Sequence, residues 1–80
     1  MAIIHIQVFA SLKEYFNSEF ELTASISTIS ELKIELEKLN PNSKKILQAC
    51  RFAIKENFVS QEYILNENDK IVILPPSSGG

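Results

Sequence analysis

Near the N-terminus Ile4, Ile6 and Val8 alternate with His5 and Gln7, the period-2 pattern of a strand with one buried face. Ala10–Phe16 reads as a short helix, broken at Asn17–Ser18. Phe20 and Leu22 then alternate with Glu19, Glu21 and Thr23, which predicts a second strand paired with the first as a hairpin.

The clearest helical pattern follows. Thr28 stands three residues before Glu31, the spacing of a capping box, in which each side chain satisfies the other's unpaired backbone N–H. Ile29, Leu32, Leu36 and Leu39 recur at helical intervals and predict one apolar face, with Glu31, Lys33, Glu35 and Lys38 elsewhere. Pro41 lacks a donor and biases Asn40 out of the helical region, so the helix should stop there. Asn42–Ala49 predicts one more short helical turn.

Beyond Arg51 the strand period returns: Phe52 and Ile54 alternate with Arg51, Ala53 and Lys55. Glu56–Asn57 reads as a turn and Phe58–Val59 as a short edge segment. Asn66–Asp69 is a polar turn in which Asn68 or Asp69 suits positive φ. Lys70–Leu74 is an apolar, β-branched strand expected to be covered on both faces. The order strand, strand, helix, strand, short strand, strand is α+β. It is what a β-grasp fold requires, a mixed sheet wrapped around one main helix, over residues 1–74 with an extended tail at 75–80.

Composition narrows the function classes. A hydrophobic fraction of 45% and a charged fraction of 22% describe an ordinary globule of one domain. Net charge is −2, and only Lys44 and Lys45 are adjacent bases, which argues against a nucleic-acid partner. Cys50 is a lone cysteine and excludes an internal disulfide, so the chain reads as intracellular. No apolar run is long enough for a bilayer, and Met1–Val8 is a poor signal peptide. The expected location is cytoplasmic.

The tail carries the candidate chemistry. Pro75 and Pro76 remove two backbone donors and end the ladder; Ser77 and Ser78 are small; Gly79 and Gly80 have no Cβ. Six extended residues span roughly 20 Å. Such a narrow end suits entry into another protein's active site. A carboxylate is a poor acyl donor until activated, usually by attack on ATP to give an acyl-adenylate, and a β-carbon near the tip would crowd that approach. The group expected to react is the carboxylate of Gly80.

Val8-Phe9-Ala10-Ser11-Leu12-Lys13-Glu14 resembles the hydrophobic-Phe-Ala-x-x-Arg-Glu segment of molybdopterin synthase small subunits. Asp69–Gly80 is similar to their last strand and Pro-Pro-x-x-Gly-Gly ending, and Thr28, its helix and Ala53–Ser60 align in order. The resemblance implies a β-grasp sulfur carrier. A partner enzyme would adenylate Gly80 with ATP, and a sulfur source would convert it to a thiocarboxylate. The tail, with Pro75, Pro76, Ser77, Ser78 and Gly79 threading a channel, would then enter the large synthase subunit. There Gly80 would give its sulfur to a cyclic pyranopterin monophosphate to build the molybdopterin dithiolene, two small and two large subunits forming the complex. This chain would bind no cofactor or metal and would not be an enzyme by itself. Three residues depart from the family pattern: Ser77 for valine, Lys13 for arginine and Asn68 for glycine.

The same resemblance groups Phe9, Phe58 and Leu74 in one exposed apolar patch at the tail's root, beside Lys13, as a partner interface. Strand parity agrees for Phe9, Val72 and Leu74, which fall opposite the expected core positions. Cys50 follows an apolar helical stretch far in sequence from His5, and a structural role is expected. His5 alone makes no metal site and reads as solvent-facing. The other readings are a sulfur carrier for thiamin or cysteine synthesis, a ubiquitin-like modifier conjugated through Gly80, and a plain interaction domain.

Overall fold

The computed structural model describes residues 2–75. Five strands, β1 (Ala2–Val8), β2 (Glu19–Ala24), β3 (Arg51–Ile54), β4 (Asn57–Val59) and β5 (Lys70–Leu74), form one mixed sheet in the order β2-β1-β5-β3-β4. β1 and β5 run parallel at its centre, and the other three pairings are antiparallel. Helix α1 (Ile29–Leu39) packs on one face, followed by a 3-10 turn at Pro41–Ser43 and the short helix α2 (Lys44–Ala49). A sheet grasping one main helix, with its first and last strands adjacent, is the β-grasp arrangement expected from the element order.

The core forms where the two periodicities meet. Ile4, Ile6 and Val8 of β1 and Ile71 and Ile73 of β5 are buried against Ile29, Leu32 and Leu36 of α1. Fully burying a side chain of this size stabilises by about 1.5–3 kcal/mol. Leu12 joins them from a 3-10 helix at Ala10–Glu14, shorter than the expected Ala10–Phe16 helix. Leu39 does not belong to the buried face. It is the last residue of the helix and is 58% exposed.

Local chemistry sets the ends of α1. Thr28 Oγ1 accepts from the Glu31 N–H at 3.2 Å. The Glu31 carboxylate reaches back one residue further than a capping box requires, accepting from the N–H of Ser27. At the other end Asn40 leaves helical space at φ −144° and ties three segments together. Its Oδ1 accepts from the Asn42 N–H at 3.1 Å, its Nδ2 donates to the Tyr15 carbonyl at 3.1 Å, and its own carbonyl accepts from the buried Ser43 hydroxyl at 2.6 Å.

Two sequence expectations shift by small steps with large consequences. The β3–β4 turn is Lys55–Glu56 rather than Glu56–Asn57, since Ile54 pairs with Asn57 and both turn residues have positive φ, 52° and 69°. Neither residue is suited to that region. Asn68 has φ 69° in the turn before β5, as its position anticipated. β5 is covered on one face only: Ile71 and Ile73 are buried, whereas Val72 and Leu74 on the other face are half-buried, because both helices lie on the same side of the sheet.

Candidate functional site: the outer sheet face and the root of the tail

The uncovered face of the sheet assembles the residues expected at the tail's root. Across the strands, Gln7, Val72, Ala53 and Phe58 lie in register on one rung. One step further along, Leu74 pairs with Arg51. Val8 pairs with Ile73, so Phe9 and Leu74, the residues that follow each, come side by side at the end of the β1–β5 ladder. Phe9 is 36% and Phe58 59% exposed, and Leu74 is half-buried. Two large aromatic side chains thus leave apolar area open to solvent on this face. Phe9, Phe58 and Leu74 therefore do share one face. Lys13 stands exposed in the 3-10 helix that Phe9 opens, next to Leu12, which is anchored in the core.

The backbone at Phe9 is specific. Phe9 is extended at φ −128°, and Ala10 immediately after it has φ 55°. A left-handed alanine carries a steric penalty of roughly 1–2 kcal/mol. The following helix holds it through the Leu12 N–H, which donates to the Phe9 carbonyl at 3.1 Å. The turn lets β1 end sharply, with Leu12 pointing inward and Phe9 outward.

Two residues of this face were missed by sequence reasoning, Arg51 and Ala53. The Arg51 guanidinium carbon lies 5.2 Å from the centroid of the Phe58 ring, a cation–π arrangement. Ala53 is buried on the outer side, flanked in register by Val72 and Phe58. The alternation Arg51, Ala53, Lys55 gave their facing. Their meeting with Phe58 depended on the β3–β4 register, which the turn position decides. A groove of about 290 Å³ opens here between Cys50, Arg51 and Phe52 on one side and Phe58, Val59, Ser60 and Gln61 on the other.

Cys50 borders that groove but is poorly suited to react. Its thiol donates to the Ile46 carbonyl at 3.0 Å, and burial pushes its pKa up to about 11 despite the favourable charge of Lys33. His5 faces outward from β1 with Nδ1 3.3 Å from the Glu21 carboxylate across the β1–β2 ladder. Among the described residues no three His, Cys, Asp or Glu side chains converge as a metal site would require. No helix among them is long and apolar enough to cross a membrane. Pro75 is the last described residue; Pro76, Ser77, Ser78, Gly79 and Gly80 lie outside the described residues.

The profile of the ThiS family matches residues 6–80. The chain belongs to the ThiS family. It is similar to the molybdopterin synthase sulfur carrier subunit of Dictyostelium discoideum, with 31% identity over 80 residues that cover 94% of this chain and 93% of the relative. Among solved structures, this ThiS-family chain superposes on small archaeal modifier protein 1 of Methanosarcina acetivorans with a TM-score of 0.83 and 24% identity, covering 100% of this chain and 98% of that one. It superposes on a protein of the complex of subunits 1 and 2 of the Helicobacter pylori molybdopterin-converting factor with a TM-score of 0.72 and 24% identity, covering 98% and 99%. Those two likenesses establish a shared fold.

Proposed function

We propose that this ThiS-family chain is the sulfur carrier subunit of a molybdopterin synthase, with residues 1–74 as the folded carrier and 75–80 as the presented end. The observation that supports it most is the central strand β5, which ends at Leu74 beside the apolar outer face, immediately before Pro-Pro-Ser-Ser-Gly-Gly. A surface that docks and an end that reaches about 20 Å beyond it are the two parts a carrier needs.

On this reading an activating enzyme covers the outer face and takes in the tail. The Gly80 carboxylate attacks the α-phosphorus of ATP, releasing pyrophosphate and forming an acyl-adenylate. A sulfide-level sulfur nucleophile then adds to the acyl carbon and expels AMP, leaving a thiocarboxylate. The same face next docks on the large synthase subunit, and the thiocarboxylate sulfur attacks a side-chain carbon of the cyclic pyranopterin monophosphate, the new C–S bond replacing a C–O bond whose oxygen leaves. Water breaks the remaining acyl–sulfur bond and restores the carboxylate. Two such transfers build the dithiolene, in a complex of two small and two large subunits. The carrier holds no cofactor, acid or base of its own and contributes reach and docking; ATP belongs to the activating enzyme. The cycle runs in the cytoplasm, where ATP is available.

Intact-mass measurement of the protein isolated from its own cells tests this reading. A species heavier by one sulfur in place of one oxygen, localised to Gly80, is expected. Loss of that species together with molybdopterin synthesis on deleting Gly80, or on adding one residue after it, completes the test. Unimpaired synthesis in either variant overturns the proposal, and a ladder of conjugated proteins would point instead to a modifier.

A further inference from the structure

Arg51 is an ionic side chain within the strands of the apolar outer face: Phe9, Val72, Leu74, Ala53 and Phe58 lie in register with it or one rung away, and the exposed Lys13 stands next to Phe9 in the 3-10 helix. Arg51 is held in place, since its guanidinium lies over the Phe58 ring at 5.2 Å and its backbone pairs with Leu74, the last residue of β5. Among the described residues it has no carboxylate partner: the ion pairs there are His5–Glu21 and Lys38–Glu35.

A partner that covers this face must remove water from the guanidinium. Burying an unpaired charge is strongly unfavourable, whereas a planar guanidinium presents a fork of donors that fits a carboxylate with two parallel hydrogen bonds. Resting on Phe58, the group is already ordered, so little rotamer freedom remains to be lost on pairing. The groove of about 290 Å³ between Arg51 and Ser60–Gln61 leaves room for an acidic side chain to approach.

We infer that Arg51 is a specificity residue of the docking face, and that the protein covering it presents an apolar surface bearing an aspartate or glutamate opposite Arg51, next to the mouth that receives the tail. This rests on the docking reading given above and adds the chemistry of the partner. Partners lacking that acid are rejected, because they would trap the cation unpaired. The charge therefore sorts among proteins that could otherwise all accept a Gly-Gly end.

The test is the affinity of full-length carrier for the large synthase subunit of the same organism, measured by calorimetry, with folding of each variant checked by its thermal midpoint. Arg51→Leu is expected to weaken binding by about thirtyfold or more and Arg51→Glu by considerably more, as for truncation and reversal of a desolvated charge pair. Arg51→Lys should retain part of the affinity, and changing the facing acid to lysine should restore Arg51→Glu. Arg51→Leu and Arg51→Glu binding as tightly as wild type, while Phe58→Asp abolishes binding, would overturn the role of Arg51 and leave the docking face intact. Unchanged binding by Phe58→Asp as well would remove the docking face, and this inference with it.

Discussion

Val8 and Ile73 pair across the parallel β1–β5 ladder, and each is succeeded by an apolar residue, Phe9 or Leu74, that turns to the opposite face. The pairing brings the first strand's end and the tail's root to the same edge of the molecule. Both inward residues are buried in the core, so the outward pair is positioned by strands anchored there.

The two leucines at the end of α1 should respond very differently to truncation. Leu36 is fully buried and Leu39 is 58% exposed. Leu36→Ala is expected to cost about 2–5 kcal/mol, a large fraction of the stability of a domain this small. Leu39→Ala should stay within about 0.5 kcal/mol. Urea titrations of the two variants decide it, and equal losses would refute the described end of the helix.

Removing the Thr28 cap leaves the Glu31 N–H without its partner, while the Glu31 carboxylate keeps its bond to Ser27. Thr28→Ala should therefore lower stability by about 1 kcal/mol, the ordinary value for losing a cap. The denaturation midpoint should fall at unchanged slope.

Lys55 and Glu56 both occupy left-handed backbone in a two-residue hairpin turn that favours Asn-Gly. Replacing them together, Lys55→Asn with Glu56→Gly, is expected to stabilise the protein by about 1–2 kcal/mol. The thermal midpoint would rise by roughly 4–8 °C for each kcal/mol. A fall in the midpoint would show that the long side chains make contacts worth more than the strain.

The thiol of Cys50 has a pKa of about 11, raised by burial. At pH 8 its alkylation by iodoacetamide should run on the order of a hundredfold slower than that of a free thiol, following the thiolate fraction. The sign of the linked stability follows from the raised value: the folded state holds the proton more tightly than the unfolded chain. The contribution is complete below the ordinary thiol pKa and is lost as pH rises towards about 11. Cys50→Ala should flatten that part of the stability–pH curve, read from urea midpoints across the alkaline range.

Much of this protein was legible one residue at a time. Alternation in Ile4–Val8 and Ile71–Ile73 identified the inward positions, Thr28 marked the start of α1, Asn40–Pro41 its end, and Asn68 the left-handed turn. These outcomes depend on local backbone preference and on solvent contrast along one element, both of which are written into neighbouring residues. The pairing of strands was decided at longer range. A one-residue shift of the β3–β4 turn sets whether Phe58 sits beside Ala53 and under Arg51, and local preference pointed to the wrong pair because Lys55 and Glu56 are both poor turn residues. Leu39 likewise followed the helical period, yet as the last residue of α1 it stays in water, which the packed structure and not the period decided. Period and capping assign a face and a start; which faces meet, and where cover runs out, is settled when the whole chain packs.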